Sequence, residues 1–186
     1  VGMIMRVDIL DRAIQNVKSQ KAAKAPRRWP KDSSEVEEYR ERIILLDPRG
    51  KTYNQPIAKR LSKFDHLILV CGHYEGVDER VKKLVDESIS IGDYILTGGE
   101  IPAMVLVDSI TRLIPGVLKK PEAIKNESFS FQSPSSTFNF PLLEYPQYTK
   151  PAVYKGISVP KILLCGNHKK IEEWRKKKSE LLTKLR

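Results

Sequence analysis

Apolar residues along the chain come in short runs divided by polar, Gly-rich or Pro-rich breaks, and the spacing inside each run alternates between helical and extended. Ile9, Leu10, Ala13, Ile14 and Val17 recur at helical spacing after Asp8, which is placed to cap a first helix. Ser19 to Tyr39 is polar and basic, with Pro26 and Pro30 discouraging regular structure, and reads as a loop. Ile43-Ile44-Leu45-Leu46 is fully apolar and stops at Asp47-Pro48-Arg49-Gly50, which predicts a buried strand ending in a turn. Asn54 then fits as an N-cap, with Ile57, Leu61 and Phe64 on one helical face. Leu67 to Cys71 predicts a second buried strand, Val77 to Val85 a helix, and Ser88 to Leu96 a strand interrupted by Gly92. Glu100 to Leu113 reads as a strongly apolar helix ending at Pro115-Gly116. Lys119 to Pro151, rich in Ser, Pro and aromatic residues, shows no period and reads as a long loop. Ile162-Leu163-Leu164-Cys165 predicts a last strand, leading through Gly166 to Asn167 as the cap of a closing helix.

Apolar strands alternating with helices define an α/β fold with a mainly parallel sheet. Ligands of such sheets collect beyond the carboxyl ends of the strands. Three predicted strands end in permissive loops, Asp47 to Gly50, Gly72 to Gly76 and Thr97 to Gly99. Either these glycines only make tight turns, or the loops together wall a small-molecule pocket built largely of backbone.

Composition narrows the picture. The 186 residues suit one domain with a real core, and 40% hydrophobic with 30% charged residues is an ordinary balance for a soluble protein. Lys and Arg number 33 against 23 acids, for a formal net charge of +10, which suits either a polyanionic partner such as nucleic acid or a solvated basic surface with no ligand. Cys71 and Cys165 end apolar runs and read as reduced core thiols of a cytoplasmic protein, with no zinc-type spacing between them. No run approaches the ~18 apolar residues of a membrane span, so no membrane partner is expected. Neither GxxxxGK[ST] nor GxGxxG is present, nor GxSxG or HExxH, so standard nucleotide-binding and hydrolase readings fail.

More specific segments follow. Cys71-Gly72-His73-Tyr74-Glu75-Gly76-Val77-Asp78-Glu79-Arg80, Ser90 to Met104 with its Thr97-Gly98-Gly99-Glu100 core, and Arg112-Leu113-Ile114-Pro115-Gly116-Val117-Leu118 stand in order, followed by Leu143 to Pro151 and Leu163 to His168. In sequence and order these resemble the bacterial tRNA (guanine-N1)-methyltransferases, across nearly the whole chain. The resemblance implies a SPOUT-type knotted α/β methyltransferase fold with a C-terminal trefoil knot, and an obligate homodimer. A knot could not have been inferred from pattern, since topology rules all but exclude it.

By position, the resemblance implies an S-adenosylmethionine pocket at Leu45, Leu46, Pro48, Gly50, Gly72, Tyr74, Glu75, Gly76, Ile91, Gly92, Tyr94, Leu96, Gly98, Gly99 and Pro102. Ile91, Tyr94 and Leu96 are suited to an apolar adenine slot or to plain core packing, and glycine lets backbone approach a ligand. Transfer of a methyl group to N1 of the guanosine 3′ of the anticodon requires loss of the N1 proton. A positioned carboxylate contributes ~10²–10⁴-fold in such a role. The resemblance places it at Glu127, in Asn126-Glu127-Ser128-Phe129, where relatives carry aspartate, so this chain keeps the charge on a side chain one methylene longer. Arg112 is implied as the guanidinium that holds the base, or else it closes a helix C-terminus. The resemblance links Glu75 to Mg²⁺ dependence, although a lone carboxylate is weak metal evidence, and His73 stands where many relatives carry arginine.

The partner implied is the tRNA anticodon loop. Phe131, Phe138 and Phe140 are suited either to stacking on an extruded base or to anchoring their loop. The closing helix sets Lys169, Lys170, Arg175, Lys176, Lys177, Lys178, Lys184 and Arg186 against Glu172, Glu173 and Glu180, with Ile171, Trp174, Leu181, Leu182 and Leu185 as an apolar stripe. Its basic face suits phosphate contacts or simple solvation. The expected organisation is a catalytic domain over 1–166, shortened at its N-terminus and carrying an active-site loop at 119–151, then a basic helix at 167–186 leading to a further tRNA-binding domain. The rival reading is a non-catalytic RNA-binding or cofactor-binding module.

Overall fold

The computed structural model describes residues 2–21, 39–120, 124–125, 127–130 and 141–186. They divide into two compact units between Val117 and Leu118, ahead of the stretch expected as an internal loop.

In the first unit the apolar run Ile43 to Leu46 is the middle of β1 (Glu41–Thr52), flanked by β2 (His66–Cys71) and β3 (Glu87–Ser90) in the order β2-β1-β3, all parallel. The expected parallel α/β arrangement is present. Successive residues of a strand point to opposite faces, so a fully apolar β1 needs cover on both. Ile44 and Leu46 face Ile57, Ala58 and Leu61 of α2 (Gln55–Leu61) and Leu106 and Ile110 of α3 (Glu100–Thr111). Ile43 and Leu45 face Leu10 and Ile14 of α1 (Val7–Lys21), together with Ile68, Val70 and Val81. The register sets Ile43 beside Ile68 and Leu45 beside Val70, completing the α1 face.

Sequence signals for helix ends are largely met. The Asn54 side chain accepts from the Ile57 N–H at 3.1 Å and caps α2. Asp8 is not the cap of α1. The helix starts at Val7, and Asp8 lies in its first turn, paired with Arg6 at 2.9 Å.

Three further expectations for this unit change. β1 does not stop at Leu46: Asp47 to Gly50 loop out of the ladder, and pairing resumes with Lys51 beside Ile89 and Thr52 beside Ser90. Gly50 allows this, since a Cβ there would sit 2.5 Å from the Ile89 nitrogen and the Ser88 carbonyl carbon. The helix expected over 77–85 is a 3₁₀ turn, Glu79–Lys83, capped by Asp78. It cannot run on, because Asp86 is drawn to β1: its carboxylate accepts from the Ile43 N–H at 2.7 Å and its N–H donates to the Ile43 carbonyl at 2.9 Å. Finally, β3 ends at Ser90 and not at Leu96.

In the second unit the run Ile162 to Cys165, expected as a strand, lies in the short helix α4 (Lys161–Leu164) and its C-cap. Cys165 is therefore exposed and not a core thiol, while Cys71 is half-buried. A hairpin of β4 (Val153–Tyr154) and β5 (Ile157–Ser158) turns at Lys155-Gly156, both at positive φ, the geometry of a two-residue hairpin turn. The closing helix is α5 (His168–Lys184), capped by the Asn167 side chain on the Lys170 N–H as expected. Of its apolar stripe, Ile171, Trp174 and Leu182 are half-buried, whereas Leu181 and Leu185 are exposed. The loop expected from Ser19 begins inside α1, which runs to Lys21, and residues 22–38 with Phe131, Phe138 and Phe140 lie outside the described residues. Among the described residues no helix is long and apolar enough to cross a membrane.

Candidate functional site

The carboxyl ends of β2 and β3 and the looped-out part of β1 open onto a cavity of about 840 Å³ in the first unit. Its walls are the three loops singled out by their glycines. Leu46, Asp47, Pro48 and Arg49 come from β1, residues 72–79 from the stretch after β2, and Ile91, Gly92 and residues 94–99 from the stretch after β3, with Pro102 of α3 and Ile4 also in the lining.

The central loop, 72–78, is held from both sides. Glu75 N–H donates to Met3 O at 3.1 Å, Met5 N–H to Gly76 O at 2.9 Å, and Asp78 N–H to Met5 O at 3.0 Å. On the other side Gly99 N–H donates to Gly72 O at 2.8 Å, and His73 pairs with Gly98. Gly99 has an ordinary φ of −81°, so freedom of rotation is not its contribution. A Cβ there would stand 2.6 Å from Cys71 Cα and 2.9 Å from Gly72 N, so only glycine permits this backbone contact. Gly76 is needed for its conformation, φ +107°, with open space around it. The supporting segment Met3 to Met5, which forms a single bridge to Val77, carries no alternating pattern of its own, and nothing in the sequence marks it.

One rim of the cavity is an alternating set of charges. The Asp47 carboxylate, only 8% exposed, meets Arg49 Nη2 at 3.0 Å and Lys82 Nζ at 3.8 Å. Arg49 Nη1 reaches Glu79 at 3.0 Å, and Lys82 reaches the same carboxylate at 2.7 Å. Burial pushes the Asp47 carboxyl up, but hydrogen bonds from Arg49 and the charge of Lys82 outweigh it and hold the group below its ordinary value. The Arg80 guanidinium, at 2.7 Å, with the Arg80 N–H, brings Asp78 down to about 2. The sequence reading passed over this set, although Asp47-Pro48-Arg49 at a strand end and Glu79 downstream were its visible parts. On the opposite rim His73 lies edge-on to Tyr74, with centroids 4.6 Å apart, and its Nδ1 is 3.9 Å from Glu100 Oε1.

Of the residues expected at a cofactor, Leu46, Pro48, Gly72, Tyr74, Glu75, Gly76, Ile91, Gly92, Tyr94, Leu96, Gly98, Gly99 and Pro102 line this cavity. Leu45 lies in the core on the α1 side of the sheet, and Gly50 lies against the backbone of Ser88 and Ile89. Among the described residues no group of three or more His, Cys, Asp or Glu side chains is placed to hold a metal. Arg112 belongs to the first unit, half-buried at the C-cap of α3, where its N–H donates to Asp108 O at 3.3 Å.

Glu127 belongs to the second unit. Its carbonyl accepts from the Ser130 N–H at 3.1 Å and from the Ser130 hydroxyl, closing a tight turn with Phe129 at φ +68°. Phe129 N–H donates to the carbonyl of Leu142, which is fully buried, and Glu144 N–H donates to Ser128 Oγ at 2.9 Å. Leu143 N–H in turn donates to Thr183 Oγ1 of α5 at 2.9 Å. The turn bearing Glu127 is therefore tied, through one short segment, to the closing helix.

A parallel α/β unit with a cavity at its strand ends is the architecture of a small-molecule site. The chain belongs to the tRNA (Guanine-1)-methyltransferase TrmD family, whose model matches residues 1–186. It is 48% identical over 178 residues to a tRNA (guanine-N(1)-)-methyltransferase of Dictyoglomus turgidum, covering 96% of this chain and 61% of that protein. It is 48% identical over 186 residues to one of Carboxydothermus hydrogenoformans, covering 100% and 62%, and 47% identical over 186 residues to one of Endomicrobium trichonymphae, covering 100% and 72%. The chain thus spans about three fifths of the length of the first two.

Proposed function

We propose that the protein is a tRNA methyltransferase that moves a methyl group from S-adenosylmethionine to N1 of the guanosine 3′ of the anticodon. The observation carrying this reading is the cavity itself, lined by every residue expected at the methyl donor except Leu45 and Gly50. A volume of about 840 Å³ suits a ligand of that size. Ile91, Tyr94, Leu96 and Pro102 offer an apolar slot for a purine, and the missing side chains of Gly72 and Gly98 let a ligand come close to the main chain. When bound, the donor supplies an electrophilic methyl group on a sulfonium.

The protein's own task is to place the guanine and remove its N1 proton. In this reading Glu127 accepts that proton, and Arg112 holds the base oxygen and offsets negative charge as it develops. The tie from the Glu127 turn to α5 limits where the longer carboxylate can go, and position matters steeply in such steps. Mg²⁺ at Glu75 would draw its other ligands from water and substrate oxygens. The reading includes the trefoil knot, the cytoplasm as location, and a homodimer. The dimer is supported by α3, which leaves Ile101, Met104 and Val107 exposed on an apolar helix.

Glu127→Ala tests the assignment. Methyl transfer to a tRNA transcript should fall by roughly 10²–10⁴-fold, while calorimetric binding of S-adenosylhomocysteine is unchanged. Near-normal turnover would remove Glu127 from the chemistry.

A further inference from the structure

The second unit has a cavity of its own, of about 580 Å³, which the methyl-transfer reading does not use. It lies between the segment running through Tyr145, Tyr148 and Lys150 and the first half of α5, which contributes Trp174 and Arg175. Its lining combines aromatic faces with cations. Arg175 lies over the Tyr145 ring at 4.6 Å, Tyr148 and Trp174 are tilted with centroids 6.3 Å apart, and Lys178 lies 6.0 Å above Trp174. Tyr148 remains 48% exposed and Trp174 half-buried, so ring surface is accessible from the mouth.

We infer that this cavity holds one unstacked nucleotide of an RNA strand. Every base has a π face that stacks on Tyr or Trp without regard to sequence, and a guanidinium or ammonium beside the rings suits the attached phosphate. Charge decides between occupants. Lys150 and Arg175 line the cavity, and Arg175 and Lys178 belong to the strongly basic stretch Lys169 to Lys178 in a chain of net charge +10. That arrangement repels a basic partner and attracts a polyphosphate. The inference rests on the reading that the substrate is RNA and adds a site apart from the methyl-donor cavity.

The test is fluorescence titration of the full chain, carrying Trp29→Phe so that Trp174 is the reporter, with a tRNA anticodon stem-loop and with an unstructured RNA decamer. Stacking should quench Trp174 emission as either RNA binds. Arg175→Gln should weaken binding about tenfold and lower the slope of log K against log salt by about one. Tyr148→Ala should weaken binding by a similar factor with the salt slope unchanged, while S-adenosylhomocysteine affinity stays the same in both variants. If RNA binds with Trp174 emission unaltered and both variants bind as tightly as the parent, the pocket assignment is overturned, although the methyltransferase reading survives. If instead either variant changes the oligomeric state and leaves RNA affinity alone, the cavity is a protein interface and the inference is wrong. Loss of S-adenosylhomocysteine binding in the parent chain would instead strike at the reading on which the inference rests.

Discussion

Substituting Gly99 by alanine isolates the contact that assembles the cavity. Its φ of −81° and ψ of −3° suit alanine, so the substitution introduces no backbone strain of its own. The entire cost is steric. The new methyl would meet Cys71 Cα at 2.6 Å, Cys71 Cβ at 2.9 Å and Gly72 N at 2.9 Å, where carbon contacts settle near 3.5–4.0 Å. Two of those atoms are backbone and cannot swing aside, so the 72–76 and 97–100 loops must part by up to about 1 Å. The Gly99–Gly72 hydrogen bond of 2.8 Å lengthens with them. Overpacking of this kind costs about 1–3 kcal/mol, against which the stiffer unfolded chain returns about 0.4–1 kcal/mol. Those ranges leave a net loss centred on about 1.3 kcal/mol, read as a lowered urea midpoint with unchanged m. Affinity for S-adenosylhomocysteine should fall about tenfold or more, because both displaced loops line the cavity. An unchanged midpoint together with unchanged affinity would refute the claim that close backbone approach at Gly99 holds the site.

Other expectations follow from the same geometry. Asn54→Ala removes the cap on the Ile57 N–H and should cost about 1 kcal/mol in denaturant titration, with little effect on ligand affinity. Tyr53→Phe loses the 2.6 Å bond to Ser109, which keeps a partner in the Val105 carbonyl; the cost should be about 0.5–1.5 kcal/mol by the same assay. Asp78, brought down to about 2, and Asp47, held below its ordinary value, each contribute stability that is present above the unfolded carboxylate value of about 3.9. That contribution should be lost as pH falls from about 4 towards 2, and Asp47→Asn should flatten the profile of urea midpoint against pH. A midpoint independent of pH over that window in the parent chain would contradict the ion-pair description of the rim.

The elements legible in the sequence were those whose pattern is forced by burial. Ile43 to Leu46 had to be covered on two faces, and Asn54 and Asn167 were placed where helix N–H groups need a partner. The stretch Ile162 to Cys165 was misread because an apolar run of that length fits a strand or a helical turn equally well. The end of the 3₁₀ turn at Lys83 is set by Asp86 binding to β1, a contact between residues far apart in sequence. The β4–β5 hairpin went unseen because strands of two residues are too short to show a period. Within the site, the glycine loops announced a pocket, but the segment Met3 to Met5 that props it and the Asp47–Arg49–Glu79–Lys82 rim arise only when three separate segments meet.

The central claim is most directly tested by incubating the chain with labelled S-adenosylmethionine and two tRNA transcripts that differ only in the nucleotide 3′ of the anticodon. Label at N1 of that guanosine, absent when adenosine replaces it and absent in Glu127→Ala, is the result predicted. Label elsewhere in the tRNA, or none from a protein that binds S-adenosylhomocysteine and the transcript, would contradict the account.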